Sequence, residues 1–174
     1  MKPGRNRWSI LIAIVLMLTL GGMARASGAR VFAANCAVCH QSNGQGVQGT
    51  YPSLAGTVGN YVHTQAGRAY LVQVVSFGMN GAIVSHGAQY NGFMQPWTQL
   101  SDADIAAVLN YILTSFNPKI LPADFKPYTA AEVKHLRATH LSFDQVRAER
   151  DAIVTPAGAG AGAGASAPSA MKAH

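Results

Sequence analysis

Two cysteines and a histidine within five residues constrain this chain more than any other feature of its sequence. Cys36 and Cys39 are separated by two residues, and His40 follows directly. On a helical turn, thiols at this spacing can add to two neighbouring vinyl groups of one haem, and the next imidazole can bind the iron. The pattern therefore predicts one covalent haem c, held by Cys36 and Cys39, with His40 as an iron ligand.

Three other sites could use these cysteines. In an oxidising compartment, Cys36 and Cys39 could form a disulfide. A thioredoxin-like site would place the pair at the start of a helix after a strand in a βαβ unit, and no such unit is predicted. A structural zinc site normally has four ligands, and the chain contains only two cysteines.

The segment around this motif predicts helices rather than strands. The first helix covers about residues 28–39, and the second covers about 68–77, with apolar residues on one face and Gly78 at its end. The third begins with a capping pattern at Ser101 and Asp104, and it ends before a proline. No strand is predicted.

The polar, glycine-rich segment 41–49 separates the first two helices. Long loops are uncommon in compact domains, and about 90 residues with three modest helices would otherwise have a thin core. A large flat cofactor inside the core would explain both features. We therefore expect residues 27–116 to form an all-α domain of three main helices and long loops around the haem.

The N-terminal residues 1–26 have the features of a secretory signal peptide. A basic start precedes an apolar run over residues 10–20, and Ala24-Arg25-Ala26 follows as a cleavage site. The run is shorter than the roughly 20 residues of a membrane span. The sequence thus predicts a periplasmic protein; the alternative is an uncleaved N-terminal anchor with the protein facing the periplasm.

Two further segments follow the haem domain. Residues 117–154 are predicted to form a short helical extension, with helix starts at Thr129 and Ser142, and its sparse apolar faces should pack on the haem domain or on a partner. Residues 155–174 alternate alanine and glycine, which offers little surface to bury, so we predict a disordered tail.

The charge balance excludes one class of partner. The whole chain has a formal net charge of +6, but beyond residue 26 nine lysine and arginine residues face seven aspartate and glutamate residues, which leaves +2. This balance gives no basic surface for nucleic acid. Residues 27–116 have no net charge, which favours a largely apolar docking surface.

A second iron ligand could come from four residues. The candidates are Met79, Met94, His63 and His86. A thioether suits an electron carrier because it raises the reduction potential of the haem iron. Met94 lies in a turn-rich segment just before the third helix, where a loop can fold over the haem.

Residues 28–116 resemble the class I cytochrome c family through the segments CAVCHQSNGQGVQGTYPSLAG and GAQYNGFMQPWTQLSDADIAAVLNYI. The resemblance implies a cytochrome c fold, Met94 as the second ligand, and a Pro52 carbonyl that accepts the Nδ1 proton of His40. One departure is that the family usually has proline directly after the methionine, whereas Gln95 intervenes here before Pro96.

The resemblance also implies how the first and last helices of the domain pack. In this family they cross through a glycine and an aromatic residue, and Gly28 and Phe32 match those positions. Val108 and Tyr111 match the facing positions on the last helix.

These features predict an electron-transfer protein rather than an enzyme, since no nucleophile or catalytic base is evident. Its partners would be redox proteins that act as electron donor and acceptor. Membrane contact would occur only through an uncleaved N-terminal segment or a membrane complex. One alternative is a subunit fixed in a larger dehydrogenase, reductase or oxidase complex, and another is a gas sensor or peroxidase with an open iron position.

Overall fold

A computed structural model of the chain describes residues 27–154, so the predicted signal peptide and tail lie outside the described residues. The elements, in chain order, are the helices α1 (27–35) and α2 (Ala37–His40), a 3-10 helix (Val58–His63), α3 (Gln65–Phe77), the strands β1 (Met79–Ser85) and β2 (Ala88–Met94), α4 (Asp102–Phe116), α5 (Ala130–Leu136) and α6 (Phe143–Val154). The predicted all-α, cytochrome c-like class is confirmed. No helix within residues 27–154 is both long and apolar enough to cross a membrane.

The first and last helices of the predicted domain cross in close contact. A Cβ atom added at Gly28 would lie 2.2 Å from the carbonyl oxygen of Ala107, so only glycine fits there. Phe32 is 2% exposed and packs against Val108, and its ring lies 5.7 Å from that of Tyr111. The packing that the resemblance implied is therefore confirmed.

Helix ends follow their capping residues. The Ser101 side chain accepts a hydrogen bond from the Asp104 amide, so α4 begins where the capping pattern predicted. The second predicted helix begins three residues earlier, at Gln65, because the Thr64 hydroxyl caps it by accepting from the Gly67 amide. Gly78 ends this helix as predicted, with a positive φ of 73° that favours glycine.

The prediction that the domain contains no strand is wrong. Strands β1 and β2 form an antiparallel hairpin in which Met79 is paired with Met94 and Ser85 with Ala88. The turn consists of His86 and Gly87, with φ of 50° and 74°, and two-residue hairpin turns often need positive φ at both positions. The hairpin was missed because its strands contain glycine and asparagine and lie largely on the surface.

The extension packs onto the preceding helices, as predicted. Val133 of α5 and Val146 of α6 are fully buried and belong to the same apolar core as α3 and α4. The Arg68 guanidinium of α3 binds both carboxylate oxygens of Glu132 at 2.9 Å. The division of the chain into a haem domain (27–116) and an extension (117–154) stays a prediction.

Replacing Val133 with alanine should measure how much the extension stabilises the fold. The change removes two methyl groups from a fully buried site, and we expect the free energy of unfolding to fall by about 2 kcal/mol. Denaturant unfolding of the haem-loaded protein, followed by circular dichroism, would measure it. The control Val47→Ala, on an exposed loop, should change the free energy by less than about 0.5 kcal/mol. Equal effects of the two changes would contradict this role for α5.

Candidate functional site

His40 lies at the end of α2, and its ring is held by the loop that follows. Its Nδ1 atom lies 2.9 Å from the carbonyl oxygen of Pro52, the contact that the resemblance implied. Because a carbonyl oxygen can only accept, the proton is on Nδ1 and the lone pair of Nε2 is free to bind a metal. Burial lowers the pKa of His40, although the Pro52 hydrogen bond opposes this shift. Burial therefore favours the neutral form of the imidazole, which is the form that metals require.

The glycine-rich loop is compact rather than loose. The Gly46 amide donates to the His40 carbonyl at 2.9 Å, and the amides of Val47 and Tyr51 donate to the carbonyls of Tyr51 and Val47, both at 2.8 Å. Gly46 has φ of 65°, and a Cβ atom there would lie 2.3 Å from the Tyr51 carbonyl oxygen. This tight turn brings Pro52 back to the ring of His40.

The two cysteines are free thiols, so the structure contains no disulfide between Cys36 and Cys39. Burial, together with the nearby Cys39, raises the pKa of the Cys36 thiol to about 11. Reactive cysteines of thioredoxin-like sites have lowered pKa values instead. Within residues 27–154, no group of three or more His, Cys, Asp or Glu side chains is placed to bind a metal ion. The arrangement thus disfavours both the thioredoxin-like and the zinc alternative.

Two adjoining cavities surround His40. Their volumes are about 450 Å³ and 540 Å³, within the usual range for cofactor sites. They share a wall formed by side chains from α2, the loop and the hairpin: Cys36, His40, Pro52, Met79, Ile83 and Met94. Cys39 lines only the second cavity. The arrangement fits a large flat apolar ring that binds thiols at one edge and has an imidazole and a thioether close to its centre.

The structure brings both candidate methionines to this site. Met79 and Met94 face each other as the first pair of the hairpin, and both line the two cavities. The Tyr70 hydroxyl donates to the sulfur of Met79 over 3.9 Å, so that thioether already has a partner. Met79 is the first residue of β1 and lies beside Met94.

The two candidate histidines lie in different places. His86 is in the hairpin turn and lines the first cavity. His63 lines neither cavity, and its Nε2 atom lies 2.9 Å from the carbonyl oxygen of Ile120.

Sequence reasoning missed part of the cavity wall. Tyr61, Tyr70 and Arg150 line the first cavity, and Arg150 comes from α6 at the far end of the extension. The only available signal was helical spacing, because Val146, Arg150 and Ile153 recur at intervals of four and three residues and so share one face.

Comparisons with known proteins identify the family of the chain. The family model for cytochrome c matches residues 25–116. The chain is 47% identical to cytochrome c-552 of Thermus thermophilus over 139 residues, which cover 79% of this chain and 93% of that protein. It is also 34% identical to the cytochrome c subunit of a quinone-type alcohol dehydrogenase from Gluconacetobacter polyoxogenes and 35% identical to the cytochrome subunit of a fructose dehydrogenase from Gluconobacter japonicus, and it spans 28% and 18% of those proteins.

The family model matches more than half of the chain, and the chain is 47% identical to a relative of which it covers 93%. These two findings establish the family of the chain. The chain belongs to the cytochrome c family, whose members bind haem c covalently and transfer electrons.

Proposed function

We propose that this protein is a periplasmic carrier of single electrons between redox proteins, with one haem c attached to Cys36 and Cys39 and its iron bound by His40 and Met94. The observation that carries the proposal is the shared wall of the two cavities, where His40 from α2 meets Met94 from the hairpin. With two protein ligands, the iron would have no open position for a substrate. The haem supplies the change between Fe(II) and Fe(III), and the protein binds and tunes it.

His40 is the better defined of the two ligands. Its bond to the Pro52 carbonyl fixes the tautomer and the ring orientation, and it makes Nε2 a stronger donor to the iron. The loop that delivers Pro52 is held by its own backbone hydrogen bonds, so the ring is positioned before the iron binds.

Met94 is favoured over Met79 as the second ligand by their surroundings. Met79 is buried and receives the Tyr70 hydroxyl, whereas Met94 lies at the end of β2, next to the segment that leads into α4. A thioether ligand raises the reduction potential and suits a carrier that holds an electron without reacting with oxygen.

The surface around the cysteines is suited to brief contact with redox partners. Val38, between the two cysteines, is 79% exposed, and Phe93 on β2 is 58% exposed, with Val47 and Tyr51 also on the surface. Val38, Tyr51 and Phe93 also line the second cavity. We call Val38, Val47, Tyr51 and Phe93 together the apolar docking surface. Residues 31–67 contain no Lys, Arg, Asp or Glu, so binding there would depend little on ion pairs.

A carrier that acts alone is favoured over a subunit fixed in a complex. The chain covers 93% of cytochrome c-552 but only 28% of the alcohol dehydrogenase subunit. A match of 139 residues in a chain of 174 must include α5, so the matches to cytochrome c-552 and to the alcohol dehydrogenase subunit both reach into the extension. The extension also uses its apolar residues inside this chain's own core. This internal packing weakens the argument that the extension exists to bind a complex.

The attachment of haem can be tested by removing the two thiols. The variant with Cys36→Ser and Cys39→Ser should lose all covalent haem, because serine hydroxyls cannot form the thioether bonds that join haem to the chain. A haem stain after denaturing electrophoresis and the mass of the intact chain would measure this, with Ser42→Ala in the exposed loop as the control. Covalent haem in the double variant, or none in the unmodified protein, would contradict the assignment.

The second ligand can be tested by replacing each methionine with alanine. Met94→Ala should abolish the sulfur-to-iron charge-transfer absorption of the oxidised protein and let carbon monoxide bind the reduced form. It should also lower the reduction potential by on the order of 0.1 V, a fraction of the range that axial ligands set. Met79→Ala is the matched control and should keep the absorption band. Reversed results would assign the iron to Met79, and rapid carbon monoxide binding by the unmodified protein would favour a sensor or peroxidase.

The apolar docking surface can be tested with membranes of the source organism as the electron acceptor. The rate at which the membranes oxidise the reduced protein should change less than about twofold between low and physiological salt, because an apolar contact contains no ion pairs for salt to screen. Val38→Asp should slow oxidation about tenfold by placing a charge in the apolar contact. Ala131→Asp, at an exposed position of α5 that lines neither cavity, should not. Strong salt dependence, or equal rates for the two variants, would contradict the apolar contact.

A further inference from the structure

Arg150 is a buried charge in the wall of the haem site. It is 4% exposed, and within residues 27–154 it is the only Lys, Arg, Asp or Glu that is buried. It lies on α6, outside the segment that matches the family model. A buried guanidinium is unfavourable unless acceptors and an opposite charge compensate it, so its position calls for a partner.

The protein itself compensates this charge only in part. One nitrogen of the guanidinium donates to the Val84 carbonyl of β1. Another lies 3.4 Å from the Asp151 carboxylate, whose side chain is half exposed to solvent, and the Tyr61 side chain is a further hydrogen-bond partner of the guanidinium. A guanidinium has five N–H donors in a planar fork that suits a carboxylate. The guanidinium can therefore accommodate a further anionic acceptor.

The residues that line the two cavities indicate which acceptor Arg150 could bind. Arg150 and Tyr61 line the first cavity, Cys39 lines only the second, and Cys36 lies at the shared wall. In haem, the two vinyl groups and the two propionate groups lie at opposite edges of the ring. Attachment to the cysteines on the side of the second cavity would therefore direct the propionates into the first cavity, towards Arg150.

We propose that Arg150 binds a haem propionate, with the Tyr61 hydroxyl beside it as a second donor. This inference rests on the proposed attachment to Cys36 and Cys39. It makes α6 part of the haem site, with Arg150 as a positioning residue that also sets the reduction potential. The ferric site carries one positive charge more than the ferrous site, so a nearby guanidinium disfavours the ferric form, and it also neutralises a carboxylate that would stabilise that form.

The reduction potential of three variants tests the proposal. Arg150→Met removes the charge at similar length and should lower the potential, whereas Arg150→Lys should keep more than half of the difference. The matched control is Arg147→Met, one turn earlier on α6, where the arginine is partly exposed and lines neither cavity. This control should shift the potential by less than a quarter as much.

A purely structural role for Arg150 gives a different result. If the residue only ties α6 to β1 through Val84, Arg150→Met would reduce the stability to denaturant and leave the potential equal to that of Arg147→Met, which would overturn the proposal. If Arg150→Met does not fold, Arg150→Lys and a crystal structure of the unmodified haem-loaded protein decide. That structure should place the guanidinium within about 3.2 Å of a propionate oxygen, and propionates directed elsewhere would also overturn the proposal. If the unmodified protein contained no covalent haem, the proposed attachment to Cys36 and Cys39 would be refuted instead.

Discussion

The hydrogen bond from His40 to the Pro52 carbonyl is the contact on which the site depends. It can form only because the loop between these residues turns back on itself, and the turn requires glycine at position 46, where any side chain would collide with the backbone of Tyr51. The polar, glycine-rich composition of this segment is therefore a structural requirement. Its backbone groups form hydrogen bonds within the loop, which allows a segment with few apolar residues to cover one side of the cavity.

The parts of the fold that could be predicted from the sequence are those determined by neighbouring residues. Capping by Ser101 and termination by Gly78 are local effects, and both occur as predicted. The cap at Thr64 is equally local, but the residue at the usual Glu or Gln position is Gly67, so the capping-box pattern gave no signal. The hairpin was not predicted because its exposed strands contain glycine and asparagine, and because its turn is His86-Gly87, a less familiar pair than Asn-Gly.

The same distinction applies to the site. Cys36, Cys39 and His40 lie within five residues, so their chemistry could be predicted without a fold. Pro52 and Met94 required the resemblance, and their roles as site residues remain proposals. Arg150 could not be found, since its place in the cavity depends on how α6 packs against α3 and β1, and nothing near it in the sequence indicates a haem.

The position of α6 bears on why the extension exists. Its last two turns line the first cavity with Arg150, Ile153 and Val154, and its first residue, Phe143, contacts the ring of Phe93 on β2 edge to face at 5.3 Å. One helix therefore covers the side of the cavity that the three main helices leave open, and it braces the hairpin that delivers Met94. A segment that completes the wall around a cofactor controls how much water reaches it, and a drier site strengthens the effect of each nearby charge on the reduction potential. In the proposed carrier, the extension would therefore act on the haem site of its own chain.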